Sequence, residues 1–201
     1  MDFVVKKNRA VFLDRDGTIN MEKGYLYRVE DFSFVPGAPQ AIKLLKDAGF
    51  LVIVVTNQSG IARGYYSVRD VSLLHNHINA ELARLGTTID AFFICPHHPQ
   101  GTIEKYSTRC DCRKPLPGML LTAAEKFSID LSRSYIIGDK AADVEAGLQA
   151  GCRSLLVRTG YGAEESAQVP ADVPCYADLH DAAEAIIEDR TDASTRFTAK
   201  P

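Results

Sequence analysis

Short apolar runs alternate with amphipathic stretches along most of the chain. AVFLD (residues 10–14), LVIVVT (51–56), AFFIC (91–95), SYIIGD (134–139) and SLLVRT (154–159) are β-rich and nearly continuous in hydrophobicity. Strands covered on both faces have that pattern. Between them the helical period predicts helices over about 39–48, 68–85, 117–127 and 141–150. Gly49, Gly86 and Gly151 sit where helix C-termini call for a left-handed residue. A last helix is expected over 179–188, and the polar, aperiodic DRTDASTRFTAKP after it reads as a flexible tail over 190–201. Strand alternating with helix predicts an α/β fold with a parallel sheet and right-handed crossovers, here one domain over 1–189. Such sheets bind ligands outside the carboxyl ends of their strands, so any chemistry should gather there.

Four of the predicted strand ends carry reactive groups. The first delivers Asp14 and Asp16, and the second Thr56, Asn57, Gln58 and Ser59. The third leads into a long loop ending in Arg113 and Lys114, and the fourth delivers Asp139 and Lys140, with Asp143 one helical turn on. Converging carboxylates repel unless a cation joins them, and hard oxygen ligands suit Mg²⁺. A carboxylate can attack phosphorus, a second can carry the proton, and a hydroxyl with a lysine can hold the phosphoryl oxygens. Asp143 has two further readings, as the partner that orients Lys114 or as a helix cap.

Composition narrows the classes. The 201 residues are 46% hydrophobic and 24% charged, as in ordinary soluble domains. A net charge of −3 gives no basic surface for nucleic acid. The apolar runs are too short to span a bilayer, and MDFVVKKNRA lacks the apolar core of a signal peptide. A cytoplasmic protein without a nucleic-acid or membrane partner is expected, and no leftover apolar stripe calls for a second copy, so a monomer is expected too.

The five cysteines are an odd number and cannot all pair within one chain. Cys95, Cys110 and Cys112 cluster in CPHHPQGTIEKYSTRCDCRKP, where the pattern is C-x-H, twelve residues, C-x-C. Zinc favours four Cys and His ligands in closed structural sites, so Cys95, His97, Cys110 and Cys112 are the candidate set, with His98 the rival to His97. The two pairs would clip the loop (95–112) at its base and fix Arg113 and Lys114 over the crevice. Cys152 and Cys175 read as buried or incidental thiols, and His75, His77 and His180 as helix-surface residues.

The ordered set D-x-D-G-T at 14–18, a strand-terminal Thr56, Lys114 before a helix and G-D-x-x-x-D at 138–143 resembles the haloacid-dehalogenase (HAD) superfamily of phosphohydrolases. The resemblance implies a Rossmann-like doubly wound parallel sheet. No large cap domain is evident, and the segment 17–36 is long enough for a flap. It also implies Asp14 as nucleophile and Asp16 as proton donor and acceptor. Mg²⁺ would be held by Asp14, Asp139 and the backbone carbonyl of Asp16.

FLDRDGTIN, the Gly24–Tyr25 pair, TNQSGIARG, CPHHPQG and CDCRKPLPGML extend the match over about 9–162. They resemble the D-glycero-D-manno-heptose-1,7-bisphosphate 7-phosphatase family, which serves nucleotide-activated heptose for lipopolysaccharide core or surface glycans. That likeness implies structural Zn²⁺, a phosphosugar substrate, and Thr56, Arg113 and Lys114 as phosphoryl stabilisers. Substrate contacts would fall on Asp14, Arg15, Asp16, Glu22, Lys23, Gly24, Tyr25, Thr56, Asn57, Gln58, Ser59, Arg113, Lys114 and Lys140. Arg63, Lys23 and Arg15 are candidates to hold the distal phosphate or to rim the site. Histidinol-phosphate phosphatases, the alternative, typically carry an acidic residue after TNQ and lack the IARG run; this chain has Ser59 and IARG at 61–64. A phosphate-binding module without turnover would need a broken catalytic set, and none of it is broken here.

Overall fold

A computed structural model describes residues 7–198, with side chains through Asp189. The elements run β1 (Ala10–Leu13), α1 (Ala38–Asp47), β2 (Leu51–Asn57), α2 (Ser59–Ala62), α3 (Val68–Arg84), β3 (Ala91–Cys95), α4 (Gly118–Lys126), β4 (Tyr135–Gly138), α5 (Ala141–Ala150), β5 (Arg153–Val157), α6 (Gly162–Glu165), β6 (Cys175–Tyr176) and α7 (Leu179–Thr198). The six strands form one sheet in the order β3-β2-β1-β4-β5-β6, every pairing parallel. The chain winds outward from β1 in one direction, then returns to β4 and winds the other way. The reversal between β1 and β4 is the switch point at which such sheets open a crevice.

The side-chain period of two divides the apolar strand residues between two layers. Val11, Leu13, Val52, Val54 and Ile137 pack in one cluster with Ala41, Ile42 and Leu45 of α1, Leu74 and Ile78 of α3 and Leu179 and Ala183 of α7. Phe12, Ile53, Val55 and Ile136 pack in another with Met119, Leu120 and Ala123 of α4 and Ala146 of α5. Both faces are covered, which is why the runs read as continuously apolar. Ser67 and Asp70 form a reciprocal cap that starts α3, and Gly49, Gly86 and Gly151 take the expected left-handed conformation (φ 80, 74 and 82°).

Several expectations change. The two-residue β6 and the one-turn α2 and α6 are too short to leave a periodic signal. Helix α7 runs to Thr198, past the Glu188 end that the pattern predicts; the last residues, 199–201, lie outside those described. His75 is not a surface residue. It shares the buried face of α3 with Val71, Leu74, Ile78 and Leu82, and its ring stacks on Phe92 at 4.2 Å. Burial, with the Arg15 guanidinium beside it, pushes its pKa down to about 3, so the ring is neutral. His77 packs edge-on against Phe32, and His180 is half-buried 3.8 Å from Glu184.

Leu45 is fully buried between α1, the sheet and α7. Leu45→Ala should cost about 2–5 kcal/mol in denaturant unfolding. Replacing the half-exposed Leu121 should stay within about 0.5 kcal/mol.

Candidate active site

The carboxyl ends of the strands surround a crevice of about 380 Å³. Asp14 follows β1 directly, its N–H donating to Ile137 O of β4 at 3.0 Å. The chain then turns sharply: the N–H groups of Ile19 and Asn20 both donate to Arg15 O. Gly17 makes this turn possible. Its φ is +83°, and a Cβ there would run into the Asp139 carboxylate. The loop after β5 presses in from the other side, Thr159 Oγ1 donating to Gly17 O at 2.6 Å and Tyr161 N–H to Asp139 Oδ2 at 2.9 Å.

Lys114 lies at the floor, 4% exposed. Its Nζ is 2.9 Å from Asp14 Oδ1 and 2.5 Å from Asp143 Oδ1, and donates to Val55 O at 2.7 Å. The Asn57 side chain clasps the Lys114 backbone on both sides, accepting its N–H at 3.1 Å and donating to its C=O at 3.0 Å. Burial disfavours the ammonium, but Asp14 and Asp143 outweigh it and hold the Lys114 pKa above the usual lysine range. Asp143 fills both structural roles left open for it: it orients Lys114, and its Oδ2 caps α5 through Lys140 N–H at 3.1 Å.

Carboxylate oxygens of Asp14, Asp139 and Asp143 all lie within 4.8 Å of one another. Burial and the charges of Asp14 and Asp143 push the Asp139 pKa up to about 8. Burial, opposed by Lys114, pushes Asp143 up to about 6. One lysine against three acids leaves a deficit of positive charge, and Asp139 Oδ1 is buried with no hydrogen-bond partner among the described residues. A hard divalent cation fits this donor set.

Asp16 is compensated differently. Its carboxylate accepts from Arg15 Nε (3.2 Å), Arg15 Nη2 (2.8 Å), Asn20 Nδ2 (3.0 Å) and Gln58 Nε2 (3.0 Å). Burial alone would raise its pKa; Arg15, Asn20 and Gln58 overcome that and lower it.

Glu22, Gly24, Tyr25, Thr56, Asn57, Gln58, Ser59, Arg113, Lys114 and Lys140 line the crevice with Asp14 and Asp16. Three expected cations do not. The Arg15 side chain is fully buried, spent on Asp16 and on Leu26 O at 2.9 Å. Lys23 points away, donating to Asp31 O at 2.6 Å, and Arg63 turns to His98 Nε2 at 3.3 Å. Tyr66, Ala142 and Tyr161 line the crevice without having been expected. Tyr161 follows the fifth strand, so the strand-end rule, carried one strand further, would have found it.

In the long loop, Cys95, His97, Cys110 and Cys112 come together. Sγ–Sγ distances are 3.5 Å (Cys95–Cys110) and 3.3 Å (Cys110–Cys112), and His97 Nδ1 is 3.4 Å from Cys112 Sγ and 3.9 Å from Cys95 Sγ. Ligands on a tetrahedral zinc would stand roughly 3.3–3.8 Å apart, given bonds of ~2.0–2.3 Å. Burial and the adjoining thiols raise the Cys95 pKa, so only a cation would hold it as thiolate. His98 faces Gln100 N–H and Arg63 instead. Arg113 Nη1 donates to His97 O at 3.3 Å, tying the crevice-lining cation to this cluster.

Fold and site together define a phosphoric monoester hydrolase of the HAD superfamily, and a HAD-hydrolase-like family model matches residues 111–182. Relatives named D-glycero-beta-D-manno-heptose-1,7-bisphosphate 7-phosphatase are 44% identical in Escherichia coli (strain K12), over 84% of this chain and 89% of that one. In Yersinia pestis the identity is 43%, over 81% and 87%. The crystal structure of D,D-heptose 1.7-bisphosphate phosphatase from B. bronchiseptica, complexed with magnesium and phosphate, superposes with a TM-score of 0.81 at 35% identity, covering 90% of this chain and 99% of that one. This chain belongs to the D-glycero-beta-D-manno-heptose-1,7-bisphosphate 7-phosphatase family.

The raised pKa values of Asp139 and Asp143 set a pH dependence for metal-free protein. Between the unfolded carboxylate pKa and about 8, folded Asp139 holds a proton that the unfolded chain has lost. Stability therefore falls as pH rises through this window. Metal-free protein should melt at a lower temperature at pH 8 than at pH 5.5, and Mg²⁺ should raise Tm more at pH 8, where it displaces fewer protons. Thermal melts with and without Mg²⁺ check both.

Proposed function

We propose that the enzyme hydrolyses the 7-phosphate of D-glycero-β-D-manno-heptose 1,7-bisphosphate by way of an aspartyl-phosphate on Asp14. The observation that carries this is the place of Asp14: at the crevice floor, held by a buried lysine and beside two further acids. The Asp14 carboxylate attacks phosphorus as the bond to the sugar oxygen breaks; Asp16, ionised in the free enzyme and loaded with the proton of the monoanionic phosphate ester as it binds, passes that proton to the leaving oxygen. Asp16 then takes a proton from water as water attacks phosphorus, releasing inorganic phosphate and restoring Asp14. Thr56 donates to a phosphoryl oxygen, and the Lys114 ammonium, its three donors engaged by Asp14, Asp143 and Val55 O, offsets charge as it builds there. Asp14, Asp139 and the Asp16 carbonyl would hold Mg²⁺, with Asp143 close by. When bound, the ion offsets the acids and polarises the phosphoryl group.

Two cations of the lining remain for the second phosphate: Arg113 and the half-buried Lys140. Lys140 is 3.7 Å from Glu22 and sits over the Tyr161 ring at 4.5 Å, at the mouth of the crevice. The β configuration is taken from the relatives' names. The product would feed nucleotide-activated heptose for lipopolysaccharide core or surface glycans. Zn²⁺ in the Cys95, His97, Cys110 and Cys112 cluster is read as structural, fixing Arg113. The enzyme is read as a cytoplasmic monomer acting on a soluble phosphosugar; among the described residues no helix is long and apolar enough to cross a membrane.

Asp14→Asn should fold normally and lose phosphate release by on the order of 10⁴-fold or more. In a panel of α- and β-heptose bisphosphates, histidinol phosphate and fructose bisphosphate, kcat/KM should be highest for the β-heptose compound. Preference for histidinol phosphate would overturn the assignment while leaving the chemistry intact. Metal analysis should find one zinc per chain, lost in Cys110→Ser. That variant should raise KM for the bisphosphate about tenfold through Arg113, a cost of about 1.4 kcal/mol, with a smaller effect on a simple monophosphate.

A further inference from the structure

The Gln58 side chain lies 1% exposed between the ends of β1 and β2, and every polar atom of its amide is engaged. Oε1 accepts from the Tyr66 hydroxyl at 2.8 Å and faces Arg15 Nη2 at 3.4 Å. Nε2 donates to Asp16 Oδ2 at 3.0 Å and to Thr56 Oγ1 at 2.9 Å. Only one orientation of the amide satisfies this shell. A guanidinium can only donate and a carboxylate can only accept, so a flipped amide would set oxygen against oxygen and N–H against N–H. No donor is left over for substrate.

We propose that Gln58 and Tyr66 are positioning residues: Gln58 bridges the proton carrier Asp16 to the phosphoryl stabiliser Thr56, and Tyr66 locks the bridge in its working orientation. The inference rests on the role of Asp16 given above. Arg15 cannot do this alone. It is the residue next to Asp16, and its bonds to that carboxylate do not reach β2. Gln58 joins the two strand ends across 42 positions of sequence. The distance between the group that protonates the leaving oxygen and the group that holds the phosphoryl oxygens is therefore set through one amide.

Tyr66 is itself held in place. Its ring stacks on Tyr27 at 5.1 Å, and a Cβ on Gly60 would collide with it, so only glycine lets the ring approach. Burial raises the phenol's pKa above the usual tyrosine range, so the hydroxyl remains a donor.

Gln58→Glu keeps the shape and turns the donor edge into an acceptor facing Asp16. Tyr66→Phe removes only the lock. With Mg²⁺ enzyme, Gln58→Glu should lower kcat for the heptose bisphosphate by about 10²–10³-fold and Tyr66→Phe by about tenfold, KM moving less than about threefold in each. A general packing defect would lower every substrate equally. Misplacing Asp16 should instead spare a leaving group that needs no proton, so the first-turnover burst of nitrophenolate from p-nitrophenyl phosphate should fall at least about tenfold less than the sugar reaction. Asp16→Asn is the reference. If it retains activity, the role of Asp16 fails and the inference with it. If it is impaired while both variants keep wild-type kcat, or lose equally on both substrates, the positioning role alone is overturned. Should Gln58→Glu fail to fold, Tyr66→Phe decides by the same two readings.

Discussion

Four aspartates gather at the carboxyl ends of β1 and β4, and the way their charge is compensated organises the site. Two unit charges 4 Å apart at an effective dielectric constant near 20 interact by about 4 kcal/mol, so unrelieved crowding of this kind would compete with the stability of the whole domain. The relief is apportioned. Arg15 takes Asp16, and Lys114 is shared by Asp14 and Asp143. Asp139 receives one backbone N–H and retains a buried oxygen without a partner among the described residues. The protein's own cations thus anchor Asp14 and Asp16, the nucleophile and proton carrier of the proposed reaction, and the remaining deficit at Asp139 is what a divalent cation would offset.

The doubly wound sheet makes that apportionment possible because it delivers acids from β1 and β4, neighbours at the switch point, and the lysine from beyond β3. Lys114 ends a segment with almost no regular structure, yet its ammonium must stand between two carboxylates. It is fixed from both ends: Asn57 clasps its backbone, and Val55 O takes its Nζ. The Cys95, His97, Cys110 and Cys112 cluster gathers the same segment two residues upstream, and scattered backbone bonds such as Thr102 N–H and Ile103 N–H to Ala62 O hold the rest of the loop without a regular ladder.

Much of this was legible in the sequence, for a physical reason. In a parallel sheet the ligand side is the carboxyl end of every strand, so a reader who finds the strands has also found the site. Asp14, Thr56, Lys114 and Asp139 follow from that rule. What the rule cannot supply is the direction of a side chain in a loop. Arg15 stands between two crevice-lining aspartates, yet points inward and down, and Lys23 and Arg63 spend their charge on partners away from the crevice. The buried position of His75 is legible from spacing alone: four residues from Val71 and seven from Leu82, it falls on the buried face of α3. Tyr66 left no signal, because its role depends on a contact with an amide and on a glycine that admits its ring.

The openness of the crevice bears on how selectivity arises. Beyond Asp14 and Asp16, the segment after β1 contributes Glu22, Gly24 and Tyr25, and the far wall is Lys140, Tyr161 and Arg113. Tyr25 is held in a left-handed conformation (φ 54°) that is uncommon outside glycine, and packs edge-on against Tyr65 at 4.8 Å, so this wall is shaped and not merely solvated. Without full enclosure, discrimination by shape is weak; on the proposed reading, Arg113 and Lys140 would instead measure the separation of the two phosphates. Arg113 is bonded to the backbone of a cluster residue and Lys140 is held by Glu22 and an aromatic ring. Both are braced by neighbouring groups, and on the proposed reading that bracing is what would let a shallow site tell a bisphosphate from a monophosphate.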